Sequence, residues 1–427
     1  MDTTTKNISL DATMSDLPSK AYQISSKYIL SYFSESICIS DSTNNFADCA
    51  LNPVETDIVF HINRLHYIDM VWKTIKDEYA ILDADVEAET VFESYTAKLL
   101  EKGILVLGEQ TQPILGVPGS CYPIRATIEL TNKCNFECTH CYKEAGRKCD
   151  HFIDTDSALR ALEALKGNTW LVEFTGGEAL LHPDFERIVT HVDFPSIALF
   201  TNGSLLDRVH IDVLKRFDFI QVSLYGNSDD EYKCYARSNS FSKVCSNIKH
   251  VVDLGVNISV AIILRKSNYQ AIESYIKLLH GLGVRNVRFG LTSKVGRNMA
   301  TTSEWDLSCE DCCRVDEQLS QLKEASPDIV FDDFDWRNDF VYPNEHSDPH
   351  TIKCGAGKKS IVISEHGIVR PCVMLPSEYF DKLSWNDYIE TIRNGDTVCY
   401  DDCVQRCLCA CKQHGIPIDS ICNYAFG

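Results

Sequence analysis

Cys134, Cys138 and Cys141 fall within the stretch CNFECTHC, spaced by three residues and then two. Three thiols are too few for a closed four-ligand metal site, and an odd number cannot all pair as disulfides. Three thiolates on one short loop can hold three irons of a 4Fe–4S cluster and leave the fourth iron open. The rival is a zinc site completed by His140 or Cys149. The bland alternative is three unligated thiols. Spacing alone does not choose between iron–sulfur and zinc.

A second set is small and polar. Thr175-Gly176-Gly177-Glu178 pairs two glycines, which let a backbone approach a ligand closely, with a carboxylate acceptor. Taken alone, such a stretch is most often a turn. Thr201-Asn202-Gly203 and Ser223 follow further on. A third set is C-terminal. Cys354 and Cys372 precede six cysteines in the 24 residues from Cys399 to Cys422, namely Cys399, Cys403, Cys407, Cys409, Cys411 and Cys422. A zinc ribbon is the alternative to iron–sulfur there. Cys309, Cys312 and Cys313 stand at helical spacing on one face, as a redox or ligand set or as ordinary thiols.

The elements that must position these residues show in the hydrophobic pattern. From residue 124 onward strand-like runs recur at 125–130, 170–174, 196–201, 218–224, 257–263 and 286–291. Amphipathic helices fill the gaps. One places Leu159, Leu162 and Leu165 on a face, and another places Phe185, Ile188, Val189 and Val192. Alternation of this kind implies a parallel sheet with right-handed crossovers. Six units make a partial (β/α)6 barrel, whose ligands belong beyond the carboxyl ends of the strands. The first cysteine set, the Gly-Gly-Glu stretch, the Thr-Asn-Gly stretch and Ser223 end four successive strands. After residue 300 the rhythm stops, and 359–372 reads as a β-hairpin turning at Glu365-His366-Gly367, which folds Cys372 back toward Cys354.

Upstream, residues 1–24 are polar and expected to be a flexible tail. Residues 25–110 read as a small α+β domain. It has a strand-like run at 28–40 and helices beginning near Pro53, over 68–79, and over 87–102. The last carries Val91, Tyr95, Leu99 and Leu100 at helical spacing and closes at Gly103. Gln110 to Tyr122 is the expected linker. The remaining divisions are a barrel at 120–300 and a cysteine-rich domain at 301–427.

The 427 residues are 44% hydrophobic and 24% charged, ordinary for a soluble globular chain. No signal-peptide pattern opens MDTTTKNISL, and no apolar run approaches a membrane span. The expected compartment is therefore cytoplasmic, where 20 cysteines point to metal or redox chemistry rather than disulfides. A formal charge of −20 argues against a nucleic-acid partner.

CxxxCxxC after the first strand, with Gly-Gly-Glu after the second, resembles the radical S-adenosylmethionine (SAM) superfamily. The resemblance implies a 4Fe–4S cluster on Cys134, Cys138 and Cys141, with SAM chelating the open iron through its amino and carboxylate groups. An electron from the cluster would cleave SAM to methionine and a 5′-deoxyadenosyl radical, which takes a hydrogen from substrate. Gly176, Gly177 and Glu178 would contact the SAM amino group and neighbouring atoms. Asn202 and Ser223 would lie near the ribose and methionine portions, and His140 would pack on adenine. Many relatives carry an arginine-glycine pair before serine-phenylalanine. This chain reads YARSNSF at 235–241, and Arg237, shifted by two positions, is the candidate substitute.

Cys354, twelve residues, Gly367, four residues and Cys372 resemble the start of the SPASM domain, which holds auxiliary 4Fe–4S clusters. The resemblance assigns Cys354, Cys372 and Cys411 to one cluster and Cys399, Cys403, Cys407 and Cys422 to another. Cys409 is left over and could trade places with Cys411. The spacing Cys407-x3-Cys411 fits that family, and the two earlier spacings do not. More narrowly, ATIELTNKCNFECTHCYKEAG and CGAGKKSIVISEHGIVRPCVMLP resemble the thioether-forming sactipeptide maturases of the subtilosin A type. That likeness implies a ribosomally made precursor peptide as substrate and a thioether from a cysteine sulfur to a backbone carbon as product. It also implies an electron donor such as flavodoxin or ferredoxin, and a winged-helix-like peptide-recognition domain in residues 25–108 that captures the leader by strand addition. Two alternatives stay open: a related enzyme that makes a carbon–carbon crosslink or oxidises cysteine or serine, and a zinc-binding peptide scaffold that is no enzyme.

Overall fold

A computed structural model of the chain describes residues 20–33, 36–42, 47–49, 51–83, 85–191, 193–291, 295–300, 306–332, 357, 359–374 and 384–393. The chain forms two compact units, within residues 1–120 and 121–427.

The first unit runs β1 (Tyr22–Ile24), β2 (Tyr28–Phe33), β3 (Ser36–Asp41), β4 (Ala47–Asp48), α1 (Pro53–Leu65), α2 (Ile68–Tyr79), α3 (Val86–Glu101), β5 (Leu105–Leu107) and β6 (Ile114–Leu115). The expected run at 28–40 resolves into the hairpin β2–β3, paired from Tyr28–Asp41 to Phe33–Ser36. Residues 22–24, inside the segment expected to be loose, form β1 and pair antiparallel with β5. The expected linker contributes β6, parallel to β2. These short pieces carry too few residues to show a period in sequence, and tertiary pairing decides them. Asn52 and Glu55 cap α1 reciprocally, with Pro53 opening the helix. On α3 the buried stripe is Phe92, Thr96 and Leu99, and Val91 is exposed. Leu99 of the expected face is in the core and Tyr95 and Leu100 pack against it, while Phe92 takes the place expected of Val91.

The second unit contains β7 (Arg125–Glu129), α4 (Thr155–Leu165), β8 (Leu171–Thr175), α5 (Phe185–Thr190), β9 (Ser196–Thr201), α6 (Ile211–Leu214), β10 (Phe219–Leu224), α7 (Asp229–Tyr235), α8 (Phe241–Asp253), β11 (Ile258–Ile263), α9 (Ile272–Leu282) and β12 (Asn286–Gly290). It continues through α10 (Cys309–Ala325), β13 (Val330–Phe331), β14 (Ser360–Ile363), β15 (Val369–Arg370) and α11 (Trp385–Arg393). The six expected strands are β7 to β12, side by side in sequence order and all parallel. Strand faces differ sharply. On β10, Ile220, Val222 and Leu224 are buried in one core with Val244 and Ile248 of α8, whereas Phe219, Gln221 and Ser223 are half-buried. The period of two thus separates a helix-covered apolar face from a more open, more polar one.

The rhythm does not stop at residue 300. α10 buries Cys312, Val315 and Leu319, and β13 pairs parallel with β12. A two-residue strand is too short to read from pattern. At the other edge, β14 pairs parallel with β7, from Ser360–Arg125 to Ile363–Ile128, and β15 returns antiparallel. The expected hairpin is therefore present, with Gly367 at φ +69° in its turn, and it is part of the barrel sheet. No helix among the described residues is long and apolar enough to cross a membrane.

Candidate functional site

β7 and β8 stay paired to their tips, where the Leu130 N–H donates to the Thr175 carbonyl at 2.8 Å. Beyond β7 the chain enters the cysteine loop. Thr131 Oγ1 closes it by donating to the His151 carbonyl at 2.5 Å and accepting the Lys133 N–H at 2.9 Å. The Gly-Gly-Glu stretch lies along this loop: Gly177 N–H donates to Thr131 O at 2.6 Å and Glu178 N–H to Lys133 O at 2.8 Å. A Cβ on Gly176 would stand 2.5 Å from Thr131 O, and one on Gly177 2.3 Å from Lys133 O. The close approach that needs these glycines is to the protein's own backbone. They bring the rim of the second strand against the loop of the first.

Glu178 fastens the third strand to the second. Its side chain is fully buried and accepts from Thr201 Oγ1 at 2.7 Å, Asn202 N–H at 2.8 Å and Leu180 N–H at 3.2 Å. Burial raises its pKa, and those donors oppose the rise. Asn202 in turn reaches the cysteine loop. Its Nδ2 donates to Asn135 Oδ1 at 2.9 Å and toward Cys134 Sγ at 3.8 Å, and its Oδ1 accepts from Ser204 Oγ at 2.6 Å. Asn135, inside the cysteine motif, and Ser204 were not singled out from sequence. The adjacency of Ser204 to Thr-Asn-Gly was the available signal.

The thiols face a built environment. Cys134 and Cys138 are buried and Cys141 is half-buried. The Phe136 N–H points to Cys134 Sγ at 3.4 Å. Burial first, then the neighbouring Glu178 charge, raises the Cys134 thiol far above its ordinary range, and burial with Cys141 pushes Cys138 up to about 12. Arg297 clamps the loop from outside the motif: its Nε donates to Cys138 O at 2.8 Å, its Nη2 to Ala145 O at 2.6 Å and its N–H to Cys141 O at 3.1 Å. His140 packs against Tyr225 at 5.3 Å, and Tyr225 against Phe136 at 6.1 Å. Burial, then Arg265 and Arg297, hold His140 down to about 3, so its imidazole is neutral. Its Nδ1 is buried without a hydrogen-bond partner among the described residues. Ser223 hydrogen-bonds Tyr225, which burial and the two nearest thiols hold protonated.

Arg237 fares differently. Residues 235 and 236 meet the loop through backbone, with Thr139 N–H donating to Tyr235 O at 2.9 Å and Glu137 N–H to Ala236 O at 3.2 Å. The Arg237 side chain, however, is exposed, and its backbone adopts φ +49°. The buried arginine near His140 is Arg265, stacked 3.5 Å over the Tyr235 ring, and no motif announced it. Cys149 directs its thiol to Glu144 O at 4.0 Å.

A separate group links the loop to the C-terminal hairpin. Lys143 Nζ lies 2.7 Å from Glu129 Oε2 and 2.6 Å from Glu365 Oε2. Arg370 Nη2 bonds the same Glu129 oxygen. Cys372 is half-buried, and the Met374 N–H points to its sulfur at 3.4 Å. Tyr142, between the two cysteine segments, is held protonated chiefly by burial and then by Glu129 and Cys141, with Cys372 adding to the effect. Cys354, Cys399, Cys403, Cys407, Cys409, Cys411 and Cys422 lie outside the described residues. On α10, Cys312 is buried while Cys309 and Cys313 are exposed, so the three do not share one environment.

These residues fit a cluster. Thiols that burial keeps protonated become ligands when a cationic centre deprotonates them outright, and N–H groups aimed at sulfur are among the contacts that tune iron–sulfur centres. Among the described residues no three Cys, His, Asp or Glu groups are gathered to hold a single ion. That bears on a mononuclear site, whose ligands converge within ~2.0–2.3 Å of one point. A four-iron cluster takes each thiolate at a different corner.

The stretch that holds the cysteine loop and the Gly-Gly-Glu and Thr-Asn-Gly rims lies within the part of the chain that a family model matches: residues 128–279 match the family described as the radical SAM superfamily. Its relatives narrow the comparison. The chain is 29% identical over 283 residues to the antilisterial bacteriocin subtilosin biosynthesis protein AlbA of Bacillus subtilis strain 168, covering 65% of this chain and 60% of that protein. It is 24% identical over 316 residues to the sporulation killing factor maturation protein SkfB of the same strain, covering 72% and 73%. It therefore spans about three-fifths of the length of the first of these relatives. The fold is that of Streptococcus suis SuiB, solved with bound S-adenosylmethionine, at a TM-score of 0.63 and 15% identity over 94% of each chain.

Proposed function

We propose that the chain is a radical SAM peptide maturase that joins a cysteine sulfur of a ribosomally made precursor peptide to a backbone carbon. The observation that carries this reading is the convergence of three strand ends on one thiol loop, in a domain similar to bacteriocin and killing-factor maturation proteins. Cys134, Cys138 and Cys141 would hold the 4Fe–4S cluster and leave one iron for SAM. When bound, that pair supplies a one-electron cleavage of SAM and a hydrogen-abstracting species. The chain's own residues position and shield. Gly176, Gly177 and Glu178 set the rim, Asn202 directs an N–H at Cys134, and His140, Tyr225 and Phe136 form an aromatic wall. Neutral His140 offers a nitrogen without adding positive charge.

Cys372, with Cys354 and Cys411, would hold one auxiliary cluster, and Cys399, Cys403, Cys407 and Cys422 another. These would bind the substrate thiolate or take up the leftover electron. Flavodoxin or ferredoxin would deliver the initiating electron. The first unit would capture the leader by adding its strand to a sheet edge, which raises the effective concentration of the core peptide at the rim.

The test is anaerobic preparation with iron and sulfide analysis, followed by co-expression with a cysteine-containing precursor peptide. Tandem mass spectrometry should find two hydrogens lost per bond and a cysteine that no longer alkylates. Hydrogen loss with every thiol still alkylatable would instead select the carbon–carbon reaction or oxidation of serine, and a cysteine residue that has lost its sulfur would select oxidation of cysteine. Zinc without sulfide would remove both.

A further inference from the structure

The Glu129–Lys143–Glu365–Arg370 group is more than the sheet needs. β14 is already paired to β7 along four register positions, so the hairpin is held at this edge without ions. The four side chains are nonetheless withdrawn from water, with 0% of Glu129, 10% of Lys143, 8% of Glu365 and 7% of Arg370 exposed. Buried ion pairs contribute little net stability compared with apolar packing of the same volume, while losing one partner strands the other's charge. What such a group does supply is one fixed geometry. Its placement says which geometry. Lys143 lies two residues after Cys141, Arg370 two before Cys372, and Glu129 ends the strand that feeds the cysteine loop. The bonds join positions 222 and 241 residues apart.

We propose that Lys143 is a positioning residue: bridging Glu129 and Glu365, it fixes the Cys372 hairpin against the Cys141 segment so that a peptide engaged at the hairpin meets the hydrogen abstraction at the loop. This rests on the peptide-maturase reading. Lys143 touches neither SAM nor peptide in this role. Its loss lets the hairpin tip shift relative to the thiol loop. A small misplacement of reacting groups costs a large factor in rate, and the abstracting species is then consumed without a bond.

Full-length protein carrying Lys143→Met, Lys143→Arg or Glu365→Gln tests this. Two quantities are read: 5′-deoxyadenosine formed per crosslinked peptide, and amide hydrogen exchange over residues 360–370 in protein without cluster or peptide. Lys143→Met should leave SAM cleavage little changed and lower crosslinks per deoxyadenosine by on the order of tenfold to a hundredfold. Exchange should quicken at the hairpin and not at β8 or β9. Lys143→Arg, which keeps a cation between the carboxylates, should recover most of the ratio, and Glu365→Gln should reproduce part of the loss. An unchanged ratio in Lys143→Met overturns the proposal. So does a parallel fall of cleavage and crosslinking, which marks a merely structural lysine. If the wild-type protein modifies no peptide, the maturase reading fails, and exchange decides the rest: quickening confined to 360–370 keeps the lysine as the hairpin's brace, and unchanged exchange removes it.

Discussion

Two cysteine segments share one local device and differ in the balance of contacts that supports it. In the loop after β7, the Phe136 N–H points at the sulfur of Cys134, two residues back. In the segment after β15, the Met374 N–H points at the sulfur of Cys372 in the same way and at the same 3.4 Å. The first sulfur sits in a mesh of backbone bonds. The Gly-Gly-Glu rim, residues 235 and 236, and Arg297 all bond the loop's main chain. The second is carried by a two-stranded hairpin on a sheet edge, steadied by side-chain charges from distant positions. Backbone bonds reach the loop from several elements, whereas beyond its pairing with β7 the hairpin is steadied by long side chains, whose contacts can be adjusted or released. The difference suits the roles proposed for them, a loop that holds a reactive centre still and a hairpin that meets a peptide.

The comparison breaks most sharply at the thiols. Cys134→Ala should abolish SAM cleavage, because two thiolates no longer close the site on three irons. Cys372→Ala should retain deoxyadenosine formation and lose crosslinking first. Chromatographic quantitation of deoxyadenosine beside mass spectrometry of the peptide separates the two. Deoxyadenosine persisting in Cys134→Ala would sink the assignment of the first segment, and full crosslinking in Cys372→Ala that of the second.

Glycines give the next largest contrast. An added Cβ at Gly177 would lie 2.3 Å from the Lys133 carbonyl oxygen, a backbone atom that cannot step aside alone. Gly177→Ala should cost at least ~1–3 kcal/mol, as overpacking does, and should lower iron retention by displacing the cysteine loop. Gly367, in the hairpin turn, has φ +69° but nothing within 4 Å of an added Cβ. Gly367→Ala should therefore cost only the left-handed strain, roughly 1–2 kcal/mol, with iron at the first site unchanged. Denaturant unfolding and iron analysis check both. Equal effects at the two glycines would mean that the mesh around the loop yields as easily as the hairpin.

The two segments also differ in how much their sequences disclose. The loop motif, the two rims and the six parallel strands are local signals, each within a few residues, and the structure brings Cys134, Cys138, Cys141, His140, Gly176, Gly177, Glu178, Asn202 and Ser223 together at one rim. What pattern missed is what tertiary contact decides. Arg297 and Arg265 carry no motif, and Arg237, matched by position, has an exposed side chain. The hairpin was legible from its turn residues, but its pairing with β7 was not, since edge pairing is fixed by partner strands far away in the chain. The sequence pattern points the glycines toward a ligand, whereas the nearest atoms belong to the loop itself.

The smallest expected effect is one of pH, and it should separate the segments by sign. Burial raises the Glu365 carboxyl, but the Lys143 charge and hydrogen bond outweigh it, and the pKa is lowered from 4.5. A carboxyl depressed in the folded state binds fewer protons there than when unfolded. Its stabilisation is complete above 4.5 and is lost as pH falls through the lower folded value. Glu178 runs the other way. Burial raises its pKa in the folded state, so acidification through that raised value favours the fold locally rather than weakening it. Mild acid should therefore loosen the hairpin before the rim. Amide exchange, corrected for its intrinsic pH dependence, should show protection at 360–370 falling below pH 4.5 while 171–178 holds. Protection lost equally in both stretches would mean that the Lys143 bridge contributes nothing specific to the hairpin, and that the contrast between backbone mesh and ionic brace does not extend to their energetics.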